Sequence, residues 1–273
     1  MNNIIIDAQA CIGCGSCVTD CVANNIELEN GKAKLLSDSC IECGHCYAVC
    51  PTKAVSMPAY DCSDCDSIGS FADFDEDEML LAMRSRRSVR HFTARPVTEE
   101  QLRKIMEAGR YAPTATNMQN ISYVVLTGNQ MAEVEKECVA MFRKALKLAG
   151  VFSSAARKRE IPDDFFFFRA PAAILICAEK SPKDLFGCDI NGGLATAYME
   201  IQAESMGLGV LYSGFTVINA RMNRKVKKLL QLDKKQKPIA CLVLGYPDIR
   251  YRRIPPRKTA KIKFLDRRNE NRK

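Results

Sequence analysis

Cys11-Ile12-Gly13-Cys14-Gly15-Ser16-Cys17-Val18-Thr19-Asp20-Cys21 and, further along, Cys40-Ile41-Glu42-Cys43-Gly44-His45-Cys46-Tyr47-Ala48-Val49-Cys50-Pro51 are two copies of one ligand pattern, and they hold eight of the fourteen cysteines. Three thiolates on one tight turn can cap three irons of a cubane, while the fourth iron faces away and needs a distant ligand. The fourth cysteine of each run therefore crosses over. The resulting assignment puts Cys11, Cys14, Cys17 and Cys50 on one 4Fe-4S cluster and Cys40, Cys43, Cys46 and Cys21 on the other. Structural zinc is the competing chemistry, but zinc takes Cys-x-x-Cys pairs and has no use for a third cysteine on each turn. Gly13, Gly15 and Gly44 let backbone amides turn toward the sulfurs, where hydrogen bonds help set the potential.

The spacing resembles that of two-cluster bacterial ferredoxins, with Val22 standing where a proline often follows. A module of that kind moves single electrons. Oxidising surroundings would consume these thiols and low-potential clusters are oxygen-labile, so the expectation is a reducing, oxygen-poor cytoplasm. Met1 to Ala10 has no basic n-region, and Ile4 to Ile6 is too short for a signal h-region. No stretch approaches the roughly 18 apolar residues of a membrane span, so no membrane association is expected.

A chain of 273 residues suits such a module plus one ordinary globular domain. Charge divides the chain at the same place: up to Met83 there are 3 Lys+Arg against 14 Asp+Glu, net −11, and the remainder carries 37 against 18, net +19. The boundary is the polar stretch from Pro58 to Asp73. It holds a further pair, Cys62 and Cys65, among Asp61, Asp64 and Asp66; other ligands are out of reach and the carboxylates raise thiol pKa, so the pair reads as linker thiols. The acidic run Asp73 to Glu78 opens a helix through Arg87, an order of charges that suits the helix dipole.

Beyond the linker, helices and strands alternate. Thr98 and Gln101 make a capping box before Leu102, Ile105 and Met106, and that helix ends near Gly109. Ser122 to Leu126 is a strand, Gln130 to Leu148 an amphipathic helix closed by Gly150, and Ala172 to Ala178 a buried strand. Asp189 to Met206 is a helix apolar nearly all round, so it is either central to the domain or covered by a second subunit. Asn219 caps a helix through Leu230, and Ile239 to Leu244 is a strand buried on both faces. Phe165 to Phe168 belongs to the core or an interface, since consecutive exposed aromatics invite association. His45 and His91 are too isolated for a histidine-based site.

Four motifs in order resemble the FMN-dependent nitroreductase family: Arg86-Arg87-Ser88-Val89-Arg90-His91-Phe92, then Ala112-Pro113-Thr114-Ala115-Thr116-Asn117-Met118-Gln119, then Gly207-Leu208-Gly209 with Ser213-Gly214-Phe215, then Gly245-Tyr246-Pro247. The resemblance implies an α+β chain: a bacterial-ferredoxin-like module (1–57), an acidic linker (58–77), a nitroreductase-type FMN-binding α/β sandwich (78–258) and a basic tail (259–273). Together the halves look like the ferredoxin-nitroreductase fusions of anaerobic microbes. By resemblance, Arg86, Arg87, Ser88 and Arg90 hold the FMN phosphate, with Arg257 or Lys258 arriving from the carboxyl end; guanidinium forks suit a phosphate dianion. Asn117 and Gln119 reach the isoalloxazine and ribityl region. Leu211-Tyr212-Ser213-Gly214 presents a backbone N–H to flavin N5 and O4, with Ser213 where many relatives carry an acid and Tyr212 as a substitute proton donor. The chain lacks the Pro-Trp that commonly follows Gln119 and has Asn120 and Ile121 instead.

No G-x-G-x-x-G follows a strand, so NAD(P)H as reductant would share the one flavin face with the substrate. The resemblance also implies a homodimer with FMN between subunits, and the Arg250 to Lys273 tail, with 11 Lys+Arg, then embraces the partner rather than nucleic acid. Two functions remain. One is an oxidoreductase in which the clusters feed FMN and FMN reduces a small-molecule acceptor such as a nitroaromatic, a quinone or an activated alkene, with an external donor protein as an electron source. The other is an electron-transfer or sensing module that serves a protein partner without turnover of its own.

Overall fold

The computed structural model describes residues 4–38, 40–62, 65, 75–149, 160–179 and 188–265. In the first part, β1 (Ile5–Ile6) pairs antiparallel with β4 (Val55–Ser56), while β2 (Ile26–Glu29) and β3 (Lys32–Leu35) form a hairpin. Its loop is Asn30-Gly31, both at positive φ (51° and 76°), the pairing that a two-residue turn between twisted strands favours. Two short helices, α1 (Ser16–Thr19) and α2 (His45–Val49), each start behind a glycine at φ 76°, Gly15 and Gly44. A side chain would be strained in that left-handed conformation, and it is what turns each cysteine loop inward. The apolar core here is small: Ile4, Ile26, Ala33, Ala54, Val55 and Met57, closed by the cysteines themselves.

The second part is built on β5 (Ile121–Thr127), β6 (Ala172–Glu179), β7 (Gly209–Tyr212) and β8 (Gln236–Gly245), in the order β5-β6-β8-β7 with every pairing antiparallel. The period of two in strand side chains separates the faces. Ala173, Leu175 and Cys177 pack with α5 (Gly128–Ala149), α7 (Gly214–Met222) and α8 (Arg224–Leu229), whereas Ala172, Ile174 and Ile176 pack with α4 (Glu99–Arg110) and α6 (Cys188–Ser205). Helices on both faces explain why β6 reads as an unbroken apolar run. The Thr98–Gln101 capping box starts α4 as the sequence predicts.

Two helix boundaries differ from expectation, and a third falls on a residue that is not described. Helix α3 (Glu76–Ser85), capped by the Asp75 carboxylate, stops before Arg86, whose ψ of 132° begins an extended segment. The Val89 amide donates to the Val210 carbonyl at 3.0 Å and Ser88 bridges Val210, so sheet pairing outcompetes the continuing helix. Gly209 permits this approach, since a Cβ there would lie 2.7 Å from Val89 Cγ2. Asn219 is no cap: α7 begins at Gly214, and Asn223 caps α8 by accepting from the Lys225 amide. Gly150 lies outside the described residues.

Candidate redox site

The crossed-over cysteines line two separate cavities. One is lined by Cys40, Cys43, Cys46 and Cys21; the other by Cys11, Cys14, Cys17 and Cys50. Among the described residues no three His, Cys, Asp or Glu side chains converge on a point where a single metal ion would sit. Four sulfurs accept backbone N–H bonds: Cys11 from Ala33 at 3.4 Å, Cys21 from Asn25 at 3.3 Å, Cys40 from Glu42 at 3.3 Å and Cys50 from Ala54 at 3.2 Å. Such donors stabilise thiolate charge. Burial pushes the Cys46 thiol up to about 11, so its thiolate needs the positive charge that iron supplies. Separated thiols around a small cavity, with amides aimed at sulfur, fit cubane clusters.

A third cavity opens at the β7 edge, lined by Arg90, Phe165, Phe168, Tyr212, Ser213 and Gly214 among others. Phe166 and Phe167 are buried in the core, while Phe165 and Phe168 are its half-buried wall, and the Arg90 guanidinium lies 5.9 Å from the Phe168 ring. The Ser213 amide is spent on the Cys241 carbonyl at 2.8 Å, so the open N-terminus of α7 begins with the Gly214 amide. An apolar wall, an exposed guanidinium whose Nη1 donates to the Ser88 carbonyl at 3.5 Å, and an open helix start fit a flavin with its anionic phosphate.

Several predicted residues have other occupations. Arg86 is not poised for phosphate: its guanidinium donates to Glu200 Oε1 at 2.9 Å, and the Tyr212 hydroxyl donates to Glu200 Oε2 at 3.0 Å. Tyr212 is a poor proton donor, because burial, and then the Glu200 charge, raise its pKa. Ser213 is buried with its hydroxyl 2.7 Å from that of Thr216. Arg87 lies 6.0 Å from the Tyr251 ring, and the Tyr251 hydroxyl donates to the Ser88 carbonyl at 3.4 Å, so the tail meets the motif through Tyr251; Arg257 and Lys258 stand exposed beyond it.

The carboxylates behind this site, Glu200 and Glu204, escaped the sequence reading, although two acids four apart on an otherwise apolar helix were a signal. Burial, and then the Glu200 charge, push Glu204 up to about 7. Because the folded chain then holds a proton that the unfolded chain has lost, stability falls as pH rises from about 4.5 to about 7. Thermal melts of Glu204→Gln are expected to lose that part of the slope and to gain most over the parent above pH 7.

Asn117 and Gln119 lie elsewhere. Tyr212 and Ile121 are on opposite edge strands, three strand spacings and about five residues apart in register, roughly 20 Å. Asn117 stands on the 3-10 turn Ala115–Asn117 just before β5, and Thr116, Asn117 and Gln119 all have positive φ (50°, 54° and 46°). Its side-chain amide donates to the Glu42 carbonyl at 2.7 Å, between Cys40 and Cys43, and the Tyr60 hydroxyl donates to Glu42 Oε2 at 2.7 Å. The loop that resembles a flavin contact thus holds the cysteine module.

Residues 83–246 match the Nitroreductase family and residues 3–51 match the 4Fe-4S dicluster domain. The chain is 26% identical over 198 residues to the FMN reductase [NAD(P)H] of Bacillus subtilis, covering 66% of this chain and 70% of that protein. Its first part is 46% identical over 54 residues to a ferredoxin of Pyrobaculum islandicum, 19% of this chain and half of that one. A solved nitroreductase with bound FMN from Bacteroides fragilis superposes with a TM-score of 0.57 at 20% identity, over 71% of this chain and 100% of that chain. With the fold, the motifs and the family match in agreement, the chain belongs to the nitroreductase family and carries a 4Fe-4S dicluster domain ahead of the family domain.

Proposed function

We propose that this chain is a dimeric iron-sulfur flavoprotein oxidoreductase that passes electrons from two 4Fe-4S clusters to FMN and on to a small electrophile, such as a nitroaromatic, a quinone or an activated alkene. When bound, the clusters supply single electrons and FMN supplies them in pairs or as hydride, with NAD(P)H a second source of reducing power. Cys11, Cys14, Cys17 and Cys50 hold one cluster, and Cys40, Cys43, Cys46 and Cys21 the other. Arg90, Ser88 and the Gly214 amide hold FMN.

The observation that carries this reading is the contact of Asn117 with Glu42, which seats the cluster-bearing loop on the flavin-type loop. Since that loop is at the sheet edge opposite Arg90 and Gly214, a flavin touching both sets needs a second copy of the chain. An exposed apolar face on α6 and α7, with Ile190, Leu194, Tyr198, Ile201, Phe215 and Ile218, suits that copy. An acidic module beside a basic domain also suits docking. Among the described residues no helix is long and apolar enough to cross a membrane.

The test is an oxygen-free preparation assayed for iron, sulfide and flavin. Arg90→Ala is expected to lose FMN and keep its iron, and Cys14→Ala to lose roughly half the iron, one cubane of two, and keep FMN. Folded protein that lost both cofactors in either variant, or that held zinc and no flavin, would refute the proposal.

A further inference from the structure

Six cysteines lie outside the two cluster cavities. Cys138, Cys177, Cys188 and Cys241 are buried in the family domain. Cys62 and Cys65 differ, for Cys65 is exposed and Cys62 partly so. Sequence alone makes them linker thiols, but the fold gives them a place. The Cys65 amide donates to the Cys62 carbonyl at 3.1 Å, which holds the two Cα atoms within about 7 Å, inside the reach of a disulfide. The two thiols lie near enough to each other and to the Tyr47 hydroxyl to interact electrostatically. Tyr47 is on α2, directly after the ligand Cys46. On the other side, Cys62 Sγ lies 3.8 Å from the Tyr60 carbonyl, and Tyr60 is tied to Glu42. The pair is therefore pinned between the neighbours of two cluster ligands.

We propose that Cys62 and Cys65 form a dithiol–disulfide couple that reacts with an external, cationic disulfide and reports thiol redox state to the cluster-bearing helix. The exposed Cys65 thiolate attacks one sulfur of the external disulfide, breaks its S–S bond and releases one thiol, leaving a mixed disulfide. Cys62, kept close by the backbone bond, attacks the Cys65 sulfur and releases the second thiol. The external disulfide gains two electrons and two protons, and the pair loses them. Holding Cys62 beside Cys65 makes the second step intramolecular, so the mixed disulfide does not accumulate. Asp61, Asp64 and Asp66 surround the pair in sequence and disfavour an anionic partner such as glutathione disulfide. Once the bridge forms, neither sulfur can donate a hydrogen bond, and the Tyr47 contact on the ligand helix changes.

The experiment exposes the full cluster-loaded chain, without oxygen, to cystamine or to glutathione disulfide at equal concentration, quenches with a maleimide and reads the peptide containing both cysteines by mass. The expected result is an internal bridge that blocks both thiols, formed faster with cystamine than with glutathione disulfide. The Cys62→Ser chain is expected to trap a lasting mixed disulfide on Cys65. Thiols that stay alkylatable with both reagents, a bridge formed as fast with glutathione disulfide, or stable mixed disulfides on the parent chain would overturn the proposal. None of these readouts depends on flavin, so the oxidoreductase reading stands or falls separately.

Discussion

Mixed dimers pairing a Cys43→Ala subunit with an Arg90→Ala subunit should regain cluster-fed flavin reduction that neither parent homodimer shows. The Arg90→Ala homodimer lacks the guanidinium at the β7-edge cavity and so lacks flavin, and the Cys43→Ala homodimer keeps flavin beside an incomplete cluster site. In the mixed dimer, the intact Arg90 of one chain meets the Asn117 loop of the other. That loop carries its own chain's intact cysteine module through the Glu42 contact. One of the two symmetric sites is then complete, so the fast loss of flavin absorbance after mixing with a reduced low-potential ferredoxin should have about half the parent amplitude. On the proposed two-chain flavin site, the opposite edges of β5 and β7 make delivery run between chains. Tagging the two subunits differently isolates the mixed species, and a mixed dimer as slow as the Cys43→Ala homodimer would show that each module feeds the flavin of its own chain.

The second large effect is on stability. Replacing Arg86 by alanine strips the ion pair from Glu200, whose side chain is only 10% exposed, and leaves the carboxylate with the Tyr212 hydroxyl alone. Breaking a buried pair from one side costs about 3 kcal/mol, a fall in Tm on the order of 8 °C for a domain of this size. Adding Glu200→Gln removes the stranded charge and should restore most of the loss, a coupling that a double-mutant cycle on flavin-free protein measures directly. If Arg86 served only phosphate, the flavin-free melting point would stay where it was and only flavin retention would drop.

Arg86 also shows where sequence reading runs out. Its place in a phosphate-binding motif was legible, but its partner is 114 residues away on α6, and no local pattern encodes which carboxylate a folded chain will bring to an arginine. Ser213 is similar: its hydroxyl is visible in the sequence, its burial against Thr216 is not. The end of α3 was misplaced because helix propensity favoured continuing through Arg87, whereas pairing with Val210, a tertiary event, pulled the chain straight. Elements with local causes fared better. The Thr98–Gln101 cap, the run of β6 and the length of α6 each follow from spacing and hydropathy within one segment.

Sequence by itself determined the type of cluster, because three thiolates spaced on each tight turn are a property of consecutive residues. It also determined the two-part organisation and the family, because charge, apolar periodicity and ordered motifs are properties of consecutive residues. Tertiary structure alone decided that Asn117 faces the cysteine module instead of Arg90, that Glu200 claims Arg86, and that the Tyr60 hydroxyl meets Glu42. Those are pairings between remote segments. They are chosen by which surfaces the sheet order and the packed helices bring together, and hydrogen bonds and ion pairs then settle on whatever partners that packing supplies.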